Sequence, residues 1–460
     1  MRRAVVIGGS IAGMSTARAL KDFFDEVLIL ERDLFPDAPR SRPGVPQSHH
    51  AHALLERGHR ELEALFPGFS DAVLEAGGRL FDFGERFAIR RATYWQNVGR
   101  DGFELLWASR NLIEFTLRRL LRVQTVTRLR DGVEVQGLQV TGPPYRVHGV
   151  RVRSRQGATE EIDAELVVDA SGRASRCVAW LAEAGLPPPP TSAVDARCGY
   201  ASRLYLPASD RARRWSGMWI ESRSDLPRGG AIFPIEHGRW LVTAVGVNGD
   251  YPPTDELGFM RFLESLPSRA LSRALVGATP LSPVVGNRSM ANALYHYDRW
   301  RERPRGLLAV GDAVCTVNPI YGQGMTCAAA CAGALRRTLQ QQGCRGDYER
   351  FFLKRQAAIL RDPWLLTTGA DFQWPGTVGE RPKRSKIAEK YLRLAMETGH
   401  LDGSLHRQLT PVYNLAAPVT RFFAPRVALR VLLLELRRWA SRVFQARACR
   451  SDKRLQMGPE

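Results

Sequence analysis

The first 31 residues constrain the fold more than any other part of the sequence. Residues 4–7 form a continuous apolar run rich in β-branched side chains, as in a strand buried on both faces of a parallel sheet. A glycine-rich turn follows at residues 8–13. After it come a helical stretch to about Phe24 and a second apolar run, residues 26–30, that ends in Glu31. This order predicts a βαβ unit and therefore an α/β fold built on a parallel sheet.

The glycine-rich turn has the composition of a diphosphate-binding loop. Gly8 permits a tight turn, Gly13 lets the helix pack close to the strand, and Ser10 is a small residue at the position of the usual middle glycine. The N-terminus of the following helix presents unpaired N–H groups and a positive dipole end to phosphates. Glu31 stands where a carboxylate accepts a hydrogen bond from a ribose 2′-hydroxyl, which favours FAD or NAD over NADP.

Two later segments bear on which dinucleotide is bound. Residues 166–173 combine a strand with an acidic, glycine-containing turn, and Asp312 follows another short strand at residues 307–310. Residues 319–325 then open an alanine-rich helix. A carboxylate suits the ribityl hydroxyls of a flavin, and helix N-terminal amides suit the N1–C2 carbonyl edge of its ring. Asp312 could equally be a helix N-cap, and that alternative stays open here.

Together these motifs resemble the flavoprotein monooxygenases of the para-hydroxybenzoate hydroxylase fold, over about residues 1–345. Three segments resemble more closely the bacterial subgroup that includes polyether epoxidases. They are residues 42–47, the histidine-containing run 49–55 and residues 311–325. The sequence departs from the usual pattern at Ser10 and at His49, where relatives more often carry arginine. The resemblance implies bound FAD, held by Gly8, Ser10, Ile11, Ala12, Gly13, Glu31, Arg32, Arg42, Arg110, Asp312, Pro319, Gly322, Gly324 and Met325.

The same resemblance implies three structural parts. These are a Rossmann-like FAD-binding domain of the glutathione reductase/para-hydroxybenzoate hydroxylase type, a β-sheet substrate domain and a helical C-terminal region. A strand-rich pattern between residues 195 and 290, with a predicted hairpin turn at residues 236–238, is consistent with the second part. We assign residues 1–80, 105–187 and 290–350 to the FAD-binding domain, residues 81–104 and 188–289 to the substrate domain, and residues 351–460 to the helical region.

The function that the resemblance implies is that of an FAD-dependent monooxygenase. Such an enzyme epoxidises or hydroxylates an apolar or aromatic small molecule of secondary metabolism, with O₂ forming a flavin C4a-hydroperoxide. No protein acid–base pair stands out and no catalytic residue is assigned, which fits chemistry carried by the cofactor. Because the sequence contains no second glycine-rich βαβ unit, electrons would come from transiently bound NAD(P)H or from a separate flavin reductase.

Three alternative functions remain open: a flavin-dependent halogenase, a polyprenyl reductase, and a non-catalytic FAD-bound interaction protein. Halogenases on this scaffold carry a Trp-x-Trp-x-Ile-Pro motif, from which the spacing of Trp215 and Trp219 differs. The strand-rich region contains four large aromatic residues, Trp215, Trp219, Phe233 and Trp240. We interpret them as the core of the predicted sheet. The second interpretation is that they form the wall of an apolar substrate pocket.

The net charge of +19 does not by itself indicate a nucleic-acid-binding protein. Of the 66 basic residues 60 are arginines spread along the chain, whereas a nucleic-acid-binding protein needs a clustered basic face. The seven cysteines form no CxxC pair, and His49, His50 and His52 lack a carboxylate at ligand spacing, so no metal site is predicted. We find no signal peptide and no spanning segment, which predicts a cytoplasmic protein.

The C-terminal segment holds a large share of the positive charge. Residues 421–454 contain ten basic and two acidic residues, and residues 427–439 form a basic, apolar helical stretch. This stretch is interpreted as a helix that packs on the core or on a partner. Weak contact with a membrane surface is the alternative.

Overall fold

The computed structural model of the chain describes every residue except 92, 93, 97, 98, 101, 124, 209–213, 224, 289, 345, 382–385, 400 and 456–460. The chain forms two compact units, Met1–Arg381 and Pro382–Glu460.

The described strands are short and are distributed over five sheets. They are β1 (Arg3–Ile7), β2 (Glu26–Leu30), β3 (Arg79–Asp82), β4 (Phe87–Arg90), β5 (Glu104–Trp107), β6 (Thr127–Arg130), β7 (Val133–Thr141), β8 (Arg146–Ser154), β9 (Thr159–Asp163), β10 (Leu166–Asp169), β11 (Thr191–Asp195), β12 (Gly199–Leu206), β13 (Gly217–Ile220), β14 (Arg228–Pro234), β15 (Trp240–Gly246), β16 (Thr279–Pro280), β17 (Val285–Asn287), β18 (Asn292–Tyr295), β19 (Leu307–Ala309), β20 (Cys315–Thr316) and β21 (Val378–Gly379).

The three longest described helices begin after residue 320. The described helices are α1 (Ile11–Leu20), α2 (Glu56–Leu65), α3 (Phe69–Glu75), α4 (Phe83–Arg86), α5 (Arg110–Arg122), α6 (Cys177–Glu183), α7 (Glu256–Glu264), α8 (Ala270–Ala274), α9 (Gly324–Gln342), α10 (Tyr348–Asp371), α11 (Lys386–Gly399), α12 (Gly403–Tyr413) and α13 (Pro425–Leu455).

A parallel sheet in the order β19-β10-β1-β2-β6 confirms the predicted βαβ unit. Both β1 and β2 are almost fully buried, which is why they read as continuous apolar runs. The helix α1 ends at Leu20 rather than near Phe24, because the chain tightens into a turn in which Phe23 N–H donates to the Leu20 carbonyl. The carboxyl ends of these strands meet at one edge, where ligands of α/β sheets bind.

A second sheet in the order β16-β12-β15-β14-β13-β4, with β17 paired to β12, forms the strand-rich region. The predicted hairpin is confirmed, since β14 and β15 pair antiparallel around the turn Glu236–Gly238. The helices α7 and α8 pack on one face of this sheet through residues such as Phe259 and Leu271. Sequence analysis did not predict these two helices, which are short and interrupt a region otherwise typical of strands.

Three smaller sheets complete the unit Met1–Arg381: β7-β8-β9, β20-β18-β11-β21 and the pair β3-β5. The sheet β7-β8-β9 was not predicted from the sequence. It joins the parallel sheet where Val133 N–H donates to the Glu31 carbonyl at 2.9 Å. This contact places Val133 and Val135 beside the carboxyl end of β2.

The predicted alanine-rich helix after β19 is confirmed as α9. Its first sixteen residues are nearly all buried, because alanine, cysteine and glycine side chains let α1, α2 and α10 pack closely on it. The helix α10 follows and belongs to the same compact unit.

The unit Pro382–Glu460 is helical in its described part, as predicted. The helix α13 packs Val427 and Val431 inward, and Phe422 in the segment before it is fully buried. Tyr391 of α11 donates a hydrogen bond from its hydroxyl to the Phe422 carbonyl at 2.7 Å. Among the described residues, no helix combines the length and the apolarity needed to cross a membrane.

Candidate functional site

A cavity of about 630 Å³ opens at the carboxyl edge of the parallel sheet. The residues on its wall that the sequence had assigned to a cofactor are Gly8, Ser10, Ile11, Ala12, Glu31, Arg32, Arg42, Arg110, Asp312, Pro319, Gly322, Gly324 and Met325. Sequence reasoning had not assigned several further wall residues, including His50, His52, Val133, Arg173, Trp180, Tyr200 and Met290. Gly13 is not on the wall, because it lies one turn inside α1.

The turn between β1 and α1 requires glycine at two positions. Gly8 has a φ of +102°, and a Cβ atom there would lie 2.6 Å from the Ala170 carbonyl oxygen. A Cβ atom on Gly13 would lie only 1.8 Å from the carbonyl oxygen of Gly8. Gly13 therefore sets the close approach of helix to strand, and Gly8 sets the approach of the loop after β10.

Ser10 joins the turn to the start of α5. Its hydroxyl donates to Glu114 Oε2 at 2.7 Å and accepts a hydrogen bond from Arg110 Nη2 at 2.9 Å. A glycine could make neither bond, which explains the serine at this position. Glu114 was missed by sequence reasoning, although its spacing of one helical turn from Arg110 places the two on the same face of α5.

Glu31 and Arg42 form the centre of a buried ion network. The Glu31 carboxylate accepts hydrogen bonds from Gly9 N–H at 2.9 Å and Asp33 N–H at 3.0 Å, and it pairs with Arg42 Nη1 at 3.0 Å. Arg42 also contacts Asp33 and Glu114, each at 2.9 Å. Burial alone would lower the pKa of Arg42, but Glu114 and Glu31 outweigh it and raise that pKa. About one of the four acceptor positions of Glu31 is left for a ligand.

The turn after β10 is held by Asp169. Its carboxylate accepts hydrogen bonds from Ser171 N–H at 3.0 Å and from the Ser171 and Ser175 hydroxyls at 2.5 Å each. Burial raises the pKa of Asp169, and these bonds oppose the rise. The hydrogen bonds of the Asp169 carboxylate are thus made within its own turn. The backbone of this turn, at Ala170 and Ser171, lies close to Gly8. Arg173 of the same turn lies on the cavity wall.

Asp312 lies on the cavity wall opposite two arginines. Burial raises its pKa, and the nearby charges of Arg110 and Arg173 oppose that rise. The hydrogen bond that Asp312 makes uses its backbone oxygen, which accepts from Thr316 Oγ1 at 3.1 Å. It does not cap a helix, since α9 begins at Gly324. The N-cap interpretation is therefore wrong, and within the described chain the carboxylate is available to a ligand.

The N-terminus of α9 faces the same cavity. Gly322, with a φ of +64°, and Gly324 let the backbone turn into the helix at the wall. Gln323 is the N-cap residue but its side chain does not cap the helix, because its amide oxygen instead accepts a hydrogen bond from Thr367 Oγ1 at 2.9 Å. The first N–H groups and the positive dipole end are thereby left for a ligand.

Two of the three clustered histidines lie on the wall. His50 Nδ1 is 2.8 Å from Ser202 Oγ, and His52 Nδ1 is 2.9 Å from the His50 carbonyl oxygen. A carbonyl only accepts, so His52 carries its proton on Nδ1 and keeps Nε2 as an acceptor. Burial lowers the pKa of His50 to about 4 and that of His52 to about 3, so both are neutral at pH 7. His49 is exposed and does not line the cavity.

A further buried carboxylate, that of Asp371, supports the loop before α9. Asp371 accepts hydrogen bonds from Asn292 Nδ2 at 2.6 Å and Asn318 Nδ2 at 3.0 Å. The side-chain oxygen of Asn318 in turn accepts from Ile320 N–H at 3.2 Å. Burial raises the pKa of Asp371 to about 6. Asp371 lies in α10, beyond the region of family resemblance, and nothing in the sequence pointed to it.

The aromatic residues of the second sheet lie in its core. Trp240 is buried with its ring centroid 5.5 Å from that of Trp215, and Phe233 meets Trp107 edge to face at 5.2 Å. Trp219 packs on the same cluster as Phe233. Trp240 is a core residue, and Trp215, Trp219 and Phe233 are half-buried against the core clusters. None of the four lies on the wall of the cavity, which favours the core interpretation over the pocket-wall interpretation.

The polar groups on the wall fit FAD. Buried Arg42 Nη2 and Arg110 Nε have no hydrogen-bond partner among the described residues, and both belong to side chains on the wall. Such donors suit diphosphate oxygens, the carboxylate of Asp312 suits hydroxyls, and the close backbone at Gly8 leaves room for a phosphate. Within the described chain, no group of three or more histidine, cysteine or acidic side chains could hold a metal ion.

Comparison with known proteins agrees with this fit. The profile of a family described as the FAD binding domain matches residues 2–342. Protein Rv3254 of Mycobacterium tuberculosis (strain ATCC 25618 / H37Rv) is 33% identical over 400 residues, which cover 82% of this chain and 81% of that protein.

Solved structures share the fold at low sequence identity. The flavin-dependent brominase Bmp2 matches with a TM-score of 0.69 and 12% identity, over 95% of this chain and 98% of that one. The p-nitrophenol 4-monooxygenase PnpA of Pseudomonas putida DLL-E4 matches with a TM-score of 0.64 and 17% identity, over 91% and 99%. The predicted α/β fold, with an FAD-binding domain of the para-hydroxybenzoate hydroxylase type, is confirmed. The chain belongs to the FAD binding domain family of flavoproteins.

Proposed function

We propose that the protein is an FAD-dependent monooxygenase that inserts one oxygen atom, by epoxidation or hydroxylation, into an apolar or aromatic small molecule of secondary metabolism. The observation that carries the proposal is the cavity itself. Its charged and glycine-lined part suits the dinucleotide, and it continues into a part walled by the uncharged side chains His50, His52, Tyr200 and Met290. Such a wall suits an apolar substrate and excludes water from the reacting atoms.

Bound FAD would supply the redox chemistry and the activation of O₂. Glu31 accepts a hydrogen bond from the adenosine ribose, and the N-terminus of α1 together with Arg42 and Arg110 binds the diphosphate. Asp312 holds the ribityl hydroxyls, and the N-terminus of α9 stabilises negative charge at the carbonyl edge of the ring. His52 offers a fixed, neutral acceptor at Nε2.

Two finer features belong to the same proposal. Membership of the polyether epoxidase subgroup is retained as a proposal that rests on the sequence resemblance of residues 42–47 and 49–55. Four residues of these segments line the cavity, namely Arg42, Gln47, His50 and His52. Electrons would come from transiently bound NAD(P)H or from a separate flavin reductase. The domain assignment is also retained as a proposal: residues 1–80, 105–187 and 290–350 bind FAD, residues 81–104 and 188–289 bind substrate, and residues 351–460 form a helical region.

The test combines oxygen consumption with product mass. The FAD-loaded protein, with NAD(P)H or a flavin reductase, is supplied with a panel of polyenes and phenols under ¹⁸O₂, with and without bromide and chloride. We expect one ¹⁸O atom per product molecule, independent of halide. Halogenated product would favour a halogenase, and gain of two hydrogens a polyprenyl reductase. Reduced protein-bound flavin that transfers neither oxygen, halogen nor hydride to any member of the panel would favour an interaction protein.

A further inference from the structure

The helix α13 exposes a stripe of large apolar side chains. We call this the outer stripe, and it consists of Leu429, Leu432, Leu433, Leu436 and Trp439, each between 47% and 66% exposed. At 100° per residue these positions fall within about 120° of the helix circumference. Single exposed leucines are normal on a protein surface, but five large apolar residues on one helix face form a patch that needs a partner.

The outer stripe does not belong to the core of its own unit. Val427 and Val431, which are buried, lie on the opposite face of α13 and pack it within the unit. The helix is therefore apolar on two opposite faces, of which one is already used for packing. A helix that needed only to pack in its unit would carry polar residues on the other face.

Arginines line one edge of the outer stripe. On the helical wheel Arg426, Arg430 and Arg437 follow the stripe on the same side, and all three are exposed. Arg430 pairs with Asp402 at 2.8 Å, whereas no ion pair is found for Arg426 or Arg437 with the described residues. Across residues 382–460 the sequence holds sixteen basic and six acidic residues, so this unit carries +10 of the net charge of +19.

We propose that the outer stripe docks α13 in the plane of an anionic lipid membrane surface. Leucines and a tryptophan enter the boundary between headgroups and acyl chains, while the flanking arginines attract anionic headgroups. A second copy of this chain fits less well, because a symmetric pairing of the stripe would bring two basic units together. Membrane docking through the outer stripe does not depend on the reaction catalysed.

The experiment measures sedimentation of the full-length, FAD-loaded protein with vesicles of phosphatidylcholine alone or of phosphatidylcholine and phosphatidylglycerol in equal parts. We expect binding to the anionic vesicles that weakens with added salt. The double variant Leu432→Ser/Leu436→Ser should lower the partition coefficient at least about tenfold. The variant Arg426→Gln/Arg437→Gln should lower it about tenfold on anionic vesicles, with little change on neutral ones.

The matched control is Leu257→Ser/Val276→Ser, which removes two side chains that are 72% and 75% exposed in the unit Met1–Arg381. This control should bind vesicles as the wild type does. Helix content by circular dichroism must be unchanged in every variant, and the single variant Trp439→Ser serves if the leucine variant unfolds. Equal vesicle binding by the wild type and the folded stripe variants would overturn the proposal. So would a concentration-dependent dimer that only the stripe variants lose, because a second copy would then cover the stripe.

Discussion

The two ends of the cavity differ in the charge state of their side chains. The ionised end is defined as the wall residues Ser10, Glu31 and Arg42 together with Glu114, which is not on the wall but contacts Ser10 and Arg42. Every charge at this end has an opposite charge or a hydrogen-bond donor within about 3 Å. The buried-histidine end, defined as His50, His52 and Asp312, contains imidazoles kept neutral by burial and a carboxylate with a raised pKa. Arg110 links them, since it binds Ser10 and also faces Asp312 and His52.

This difference indicates what each end is built to hold. A pre-paired network keeps its geometry with or without a ligand and suits a polar group bound in one orientation. At the other end, neutral buried imidazoles exclude water and strengthen the electrostatic interactions that Asp312 makes with a ligand. The variants below separate the two ends by comparing FAD with FMN, which lacks the adenosine half.

The largest effect is expected from Gly13→Ala, which alters the turn between β1 and α1 that both ends of the cavity share. The new Cβ atom would lie 1.8 Å from the Gly8 carbonyl oxygen, so α1 must move away from β1. We expect loss of both FAD and FMN binding and about 2–3 kcal/mol of destabilisation, measured by flavin titration and chemical unfolding. The matched control is Gly369→Ala in α10, where a Cβ meets nothing within 4 Å. This control should bind flavin normally and gain about 0.5–1 kcal/mol. Normal flavin binding by Gly13→Ala would contradict the claim that both ends of the cavity depend on this turn.

Asp312→Asn tests the buried-histidine end. The substitution removes a charge-assisted hydrogen bond to a ribityl hydroxyl, worth about 1.5–3 kcal/mol. We expect the dissociation constants of FAD and of FMN to rise together, by about 10-fold to 100-fold. Equilibrium titration by flavin fluorescence measures both. A rise in the dissociation constant of FAD alone would show that Asp312 contacts the adenosine half and not the ribityl chain.

Glu31→Gln tests the ionised end. It removes the charge that pairs with Arg42 and that, in the proposed FAD complex, would face the ribose, while the shape of the side chain is kept. We expect FAD to bind about tenfold more weakly and FMN to bind as before. The same titration gives the answer, and equal weakening of both flavins would show that Glu31 acts through the turn instead of through the adenosine.

Sequence patterns predicted the residues of the βαβ turn better than the contacts between distant segments. Gly8, Gly13 and Glu31 belong to one βαβ unit, so their positions in and beside the turn follow from local spacing. The interaction of Ser10 with Glu114 and the support of the 318–324 loop by Asp371 join segments far apart in the chain, and no local spacing encodes them. The helices α7 and α8 were missed for a related reason, since their packing on the second sheet decides them.

The smallest effect concerns Asp371 and pH. Its pKa is about 6 in the fold against an ordinary value of 3.8, so the folded state favours the protonated carboxyl. The stabilisation from this proton is complete below pH 3.8 and is lost as pH rises through 6. The difference in unfolding free energy between wild type and Asp371→Asn should therefore shift against the wild type by about 1 kcal/mol between pH 5 and pH 7. Urea unfolding at both pH values measures this shift, and a shift of opposite sign would contradict the raised pKa.

Whether the chain binds FAD is tested most directly by a binding measurement on the purified full-length protein. The protein is incubated with excess FAD, passed through a desalting column and analysed for flavin absorbance against protein concentration. We expect one FAD per chain, a protein-bound visible flavin spectrum and loss of that spectrum in Gly13→Ala. A folded wild-type protein that leaves the column without flavin absorbance would contradict this expectation.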